Sequence, residues 1–212
     1  MAEYTLYCFA QSGNAYKPAL FLELAGADWS PRFVDFFNGE ARTPEYQAVN
    51  VMAEVPVLEH GAVRLSQSGV ILDYLVETLG RFGWRDDAER REILRWILFD
   101  NHKFTSYIAT YRFLLNFAPK PAAPEVLDFL KGRVRAAAKV LDSHLGGRDW
   151  VVGDGLTIAD LSLAGYVFFD TEFGVDWNHE FPSIGAWVQR IKALPGWKHP
   201  YDLMPGHPLK KA

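Results

Sequence analysis

A chain of 212 residues, 49% hydrophobic and 23% charged, has the balance of an ordinary globular protein and length enough for two compact domains. A formal net charge of −4 without a basic cluster argues against nucleic acid or an anionic membrane surface as a partner. No apolar run approaches the ~20 residues of a membrane span, the start lacks a signal pattern, and the lone Cys8 excludes an internal disulfide, so a cytoplasmic location is expected.

Residues 4–9 are apolar throughout, as in a strand buried on both faces. Gln11-Ser12-Gly13-Asn14 breaks that run, and a helix pattern follows to Gly26, with Ser12 or Asn14 as its cap and Pro18 tolerated in the early turns. The result is a strand-to-helix junction carrying a hydroxyl and an amide. There the free backbone N–H groups and the helix dipole favour an anion or a thiolate. A second short strand is expected at 32–36, then a polar loop over 37–50 with room for one helical turn. Residues 55–58 and 62–65 read as a hairpin turning at His60-Gly61, and Pro56 within it requires an edge position or an unusual peptide bond. Ser66-Gln67-Ser68-Gly69 opens a helix that runs to Gly80. The order is that of an α/β sheet of about four strands.

Residues 81–88 are polar and read as a linker. Beyond them the period is helical: one long helix over 93–115 stopped by prolines, another over 126–145 ended by Gly146-Gly147, an apolar helix after Thr157, and one more over 184–194. Thr157-Ile158-Ala159-Asp160 is a variant capping box whose role is structural. The Pro-rich tail is expected to lack regular structure. The sequence therefore predicts an α/β domain over 1–80 and an all-α domain over 89–212, with the region between them the default place for a site. Six scattered histidines have no ligand spacing, so no metal is expected. Cys8 sits inside a strand and reads as a buried, inert thiol.

At SGNAYK, EVPVLEHG, LSQSGVILDYL, GDGLTIADLSLAG and LPGWKHPYDLMPGHP, in this order along nearly the whole chain, the sequence resembles the cytosolic glutathione transferases. Bacterial members and the serine-type theta and phi classes are most similar. The resemblance implies a thioredoxin-like N-terminal domain that binds glutathione and a helical C-terminal domain that supplies most of the second substrate's pocket. It further implies a homodimer, a role in detoxification, a small apolar electrophile as second substrate, and no cofactor beyond glutathione as co-substrate. Ser12 matches the activating serine and Asn14 a helper that donates a second hydrogen bond. Tyr7 is a rival activator, but its place within the strand makes it structural.

By the same resemblance Gln67 and Ser68 hold the γ-glutamyl end of glutathione. Val55, before a cis Pro56, pairs its backbone with the cysteinyl part. Glu54 departs from the pattern, where a basic or amide residue near the glycyl carboxylate is usual, and Arg42 could supply the missing charge. Phe9, Gln11, Lys103, Ser106, Tyr107 and Tyr111 fall where the family's electrophile pocket lies. A wetted helix face accounts for the last four about as well. Two other activity classes stay open: a non-catalytic binding module, motivated by Glu54 and the missing Pro-x-Gly-Lys, and a glutathione-dependent isomerase, dehalogenase or peroxidase.

Overall fold

In the computed structural model, which describes residues 2–209, the first apolar run becomes β1 (Tyr4–Cys8), an inner strand of a four-stranded sheet. Helix α1 (Gly13–Ala25) follows and then β2 (Trp29–Phe33), parallel to β1. This strand lies earlier than the apolar stretch 32–36 indicated. Its register is set by the pairing of Tyr4 with Trp29 and by the Tyr4 N–H, which donates to the Asp28 carbonyl at 3.0 Å. Pro31 is accommodated because β2 is an edge strand and the missing N–H interrupts no ladder. The loop that follows contains a 3-10 turn at Glu40–Arg42 and helix α2 (Pro44–Val49). Strands β3 (Val57–His60) and β4 (Val63–Ser66) form the expected hairpin, and the strand order is β2-β1-β3-β4.

The two faces of this sheet are covered by different elements. Helix α1 lacks a polar stripe, and its residues from Ala15 to Leu22 are all buried; it packs against α3 (Ser68–Leu79). On β1, Tyr7 instead joins Val34, Ala41, Tyr46 and Val57 in a cluster with α2. Both α1 and α3 end at glycines in the left-handed region, Gly26 at φ 67° and Gly80 at φ 64°, which L side chains adopt only with strain.

A second compact unit comprises Trp84–Ala193. The long helix expected over 93–115 is divided into α4 (Asp87–Phe99), a π-helical turn (Asp100–Phe104) and α5 (Thr105–Asn116). The cause is visible at the break. The buried Asp100 carboxylate accepts from Thr105 Oγ1 at 2.7 Å and from Ser162 Oγ at 2.6 Å, and the widened turn lets it reach both. Helix α6 (Pro124–Leu145) follows, then α7 (Ile158–Leu163), whose residues are all buried. The apolar stretch after Thr157 is thus a short helix and a 3-10 turn, Val167–Glu172, rather than one long helix. Helix α8 (Trp177–Glu180) and α9 (Pro182–Lys192) complete the unit. The N-terminus of α9 is capped from α6: Asp142 Oδ1 accepts from the Ser183 and Ile184 N–H groups at 2.8 and 3.0 Å.

The tail does not remain with these helices. Residues 194–209 belong to the same unit as residues 2–83, and they include one helical turn, α10 (Pro200–Leu203), which packs on α1. The prolines end regular structure on both sides of that turn without preventing it, because Pro200 occupies the first helical position, where no N–H is required.

The capping box at Thr157 and Asp160 forms as expected. The fully buried Asp160 carboxylate accepts from the Val151 N–H (2.9 Å), the Thr157 N–H (3.0 Å), the Thr157 hydroxyl (3.2 Å) and the Trp187 indole (3.0 Å). Burial pushes this carboxyl up to about 6, against the pull of those four donors. The folded chain therefore keeps a proton that the unfolded chain has released. That contribution is complete below about pH 4 and is lost as pH rises through about 6, by ~3 kcal/mol at most. Removing the carboxyl strands several buried donors at any pH, at about 1–3 kcal/mol each. Urea denaturation of Asp160→Ala is expected to give a loss of at least ~3 kcal/mol at pH 7, and a wider gap from wild type at pH 4. Equal losses at both pH values would contradict the raised carboxyl.

Candidate functional site

The register brings three chain breaks to one end of the sheet. Tyr7 pairs with Val57 and Val57 with Ser66, so the exit of β1, the entry of β3 and the exit of β4 are neighbours. The exit of β1 carries Ser12, the entry of β3 carries Val55-Pro56, and the exit of β4 carries Gln67 and Ser68.

Ser12 is the N-cap of α1. Its Oγ accepts from the Ala15 N–H at 3.2 Å, and its carbonyl accepts from the Tyr16 N–H at 3.0 Å. Cap and proton donor are compatible roles. The bond from Ala15 uses a lone pair of the hydroxyl and leaves the proton to donate, while the Gly13 and Asn14 N–H groups have no intrahelical acceptor. Ser12 is 6% exposed, and Asn14 Oδ1 is buried without a hydrogen-bond partner. An anionic sulfur at this point would meet a hydroxyl donor and the positive end of a helix of thirteen residues.

The peptide bond between Val55 and Pro56 is cis. Two side chains hold the segment before it: the Tyr46 hydroxyl and the Asn50 amide both donate to the Glu54 carbonyl, at 2.9 and 2.8 Å. Asn50 Oδ1 also accepts from the Met52 N–H at 3.2 Å. Neither Tyr46 nor Asn50 is singled out by the sequence, where they read as members of a polar loop. The asparagine and the aromatic at a fixed distance before Val-Pro were the available signal.

Gln67 is the N-cap of α3 and lies at φ 69°, a strained backbone for a residue with a Cβ. Its amide nitrogen donates to Met52 Sδ at 3.0 Å and to Glu54 Oε2 at 3.3 Å. Ser68, at the first helical position, is buried. Glu54 therefore stands beside Gln67 at the start of α3. Arg42 ends the 3-10 turn before α2, is exposed, and has no acidic partner among the described residues.

The tail braces the junction. The Ala10 N–H donates to the Pro205 carbonyl at 2.7 Å and the Gln11 amide to the Gly206 carbonyl at 2.9 Å; the Tyr16 hydroxyl donates to the Lys198 carbonyl at 2.8 Å. Gln11 is thus a brace of its own junction. Phe9 stacks on Phe36 at 4.9 Å. The other residues assigned to an electrophile pocket lie in the helical unit: Lys103 on the π-turn, Ser106, Tyr107 and Tyr111 on α5. Ser106 Oγ donates to the Asn101 carbonyl, Tyr111 is buried, and the Tyr107 hydroxyl accepts from Arg133 at 2.8 Å.

Two other side chains were candidates for sulfur chemistry. Tyr7 packs in the cluster with Val34, Ala41, Tyr46 and Val57, and burial together with a hydrogen bond to Glu59 raises its phenol. Burial pushes the Cys8 thiol up to about 12.

Two family models match the chain: the N-terminal domain of glutathione S-transferase over residues 2–77 and its C-terminal domain over residues 104–195. A crystal structure of a possible glutathione S-transferase from Rhodopseudomonas palustris is 32% identical, with a TM-score of 0.87 over 94% of this chain and 98% of that one. The transcriptional regulator URE2 of Saccharomyces cerevisiae is 28% identical over 91% of this chain, which spans 66% of that protein's length. The structure of Ure2p in complex with glutathione has a TM-score of 0.84 at 26% identity, covering 92% of this chain and 96% of that one.

A thiol that ionises only near pH 12 is not a nucleophile at neutral pH. Native protein at pH 7.5 is expected to leave Cys8 unlabelled by iodoacetamide after an hour, and to label fully in urea. Rapid labelling of the native protein would place the thiol in a different environment.

Proposed function

The chain belongs to the glutathione S-transferase family, and on that premise we propose that it is a glutathione transferase in which Ser12 keeps the glutathione thiol ionised. The observation that carries this reading is the Ser12 hydroxyl, which accepts from Ala15 and so keeps its own proton for a sulfur at the start of α1. A free thiol titrates near 8.5, and lowering it by two units requires about 2.7 kcal/mol of preference for the thiolate. One hydrogen bond to a charged acceptor contributes roughly 1.5–3 kcal/mol and a helix N-terminus roughly 0.3–1. Together these are sufficient without a general base. The thiolate then attacks an electrophilic carbon of an apolar compound; a bond from sulfur to carbon forms, and the leaving group departs with its electron pair. Asn14, with its buried unpartnered Oδ1, lies within the same first turn.

The remaining residues of the sheet end supply the rest of the tripeptide's contacts in this reading. The backbone of Val55 pairs with the cysteinyl residue as a short added strand. The start of α3, with the Ser68 hydroxyl, receives the γ-glutamyl carboxylate, and Arg42 faces the glycyl carboxylate. Glu54, hydrogen-bonded to the Gln67 amide, places a negative charge where the γ-glutamyl ammonium would sit. It thereby takes the part of the acid that many family members have at the position of Gln67. The assembly is a homodimer.

A second reading has its own support: a relative over nine tenths of this chain is named as a transcriptional regulator, and its structural counterpart was solved with glutathione. A glutathione-binding module without turnover would fit that precedent.

Three measurements distinguish these. With 1-chloro-2,4-dinitrobenzene, Ser12→Ala is expected to lower kcat/KM by about 10- to 100-fold, the equivalent of ~1.4–2.7 kcal/mol. Rates within twofold of each other would remove Ser12 from the mechanism. In calorimetry with glutathione, Glu54→Gln is expected to weaken binding about three- to tenfold; tighter binding would mean that the carboxylate opposes the glycyl end. Micromolar glutathione binding with no conjugation, isomerisation or peroxidase turnover would favour the module.

A further inference from the structure

The buried and half-buried guanidinium groups of the helical unit face carboxylates: Arg112 meets Glu172 at 2.8 Å, Arg135 meets Glu180 at 2.7 Å, and Arg190 meets Asp149 at 2.6 Å. Arg133 on α6 is the exception to this pattern, with no acidic partner among the described residues. Its Nη2 donates to the Tyr107 hydroxyl at 2.8 Å, its guanidinium carbon stands 4.9 Å from the Tyr107 ring centre, and its Nε is buried without a hydrogen-bond partner. Lys103, one turn before Tyr107, brings a second cation to the same phenol. The hydrogen bond from Arg133 pulls the Tyr107 phenol below its usual range against partial desolvation, with the charges of Arg133 and Lys103 adding to it.

The acid closest to Lys103 in the chain does not neutralise this group. Asp100 is turned inward and bonded to Thr105 and Ser162. The phenol has accepted from Arg133, so its own proton is available to an incoming acceptor. Two cations and a hydroxyl donor thus come together from α5, its preceding turn and α6. One turn before Arg133 on α6, Phe129 is 63% exposed, an apolar ring beside a charged group.

We propose that Lys103, Tyr107 and Arg133 form a receptor for the carboxylate of an aromatic acid, with Phe129 in contact with its ring. A carboxylate fits because a guanidinium and a phenol present donors to its two oxygens, and such charge-assisted bonds are stronger than neutral ones. The proposal concerns binding by the helical unit itself and does not depend on the transferase reading above.

The test uses 4-chloro-3-nitrobenzoate and its neutral counterpart 4-chloro-3-nitrobenzamide. Calorimetry without glutathione is expected to give at least tenfold tighter binding of the acid to wild type. Arg133→Gln should bring the two ligands within twofold while leaving the amide unchanged, and Tyr107→Phe, which keeps the ring, should reduce the preference by about threefold. Circular dichroism of Arg133→Gln should match wild type, showing that the variant is folded. Equal binding of acid and amide by wild type, or a preference that survives in folded Arg133→Gln, overturns the receptor. Turnover of the amide with equal binding of the two would leave the transferase reading standing alone. Acid-selective binding without turnover of either compound would do the reverse.

Discussion

A single lone pair organises the candidate site. By accepting from Ala15, the Ser12 hydroxyl starts α1 and has its oxygen held at the head of the helix, while its proton stays free to be donated. The sheet does the rest by register. Because β1 and β3 run antiparallel and Tyr7 lies opposite Val57, the segment with the cis Val55-Pro56 bond can emerge only beside the exit of β1. The hairpin then returns Gln67 and Ser68 to the same end.

The signals legible in the sequence were those that act over a few residues. A hydroxyl before a helix pattern, a Val-Pro entering a strand, a Ser-Gly opening a helix and Thr-x-x-Asp before an apolar run each state their geometry locally, and each forms where it was expected. What the sequence could not display was pairing at a distance. The start of β2 follows from Asp28 meeting Tyr4, and the π-turn from Asp100 reaching Ser162 across the helical unit. The position of Glu54 beside Gln67 depends on Tyr46 and Asn50 drawing its carbonyl inward, which no spacing rule encodes. The assignments of Ser12, Gln67 and Arg42 to parts of glutathione rest on the family's pattern together with the placement of these residues.

Buried charge in the helical unit follows a consistent rule. Asp160 and Asp100 each accept from at least one distant donor, Trp187 and Ser162, and Arg112 is paired with Glu172 and lies 3.8 Å from the Phe169 ring centre. These groups fix which segments meet, because moving any of them strands a polar atom away from water. Arg133, with its Nε unsatisfied, departs from this economy, as functional positions often do.

The bracing of Gln11 by Gly206 joins residues 195 positions apart, and the whole second unit is encoded in the interval. On a translating ribosome the unit that holds the sheet emerges first yet cannot be finished. On the order of ten seconds of elongation separate its sheet from the strand of carbonyls that steadies Ala10 and Gln11. Until then the nascent N-terminal segment lacks the cover that α10 later lays on α1.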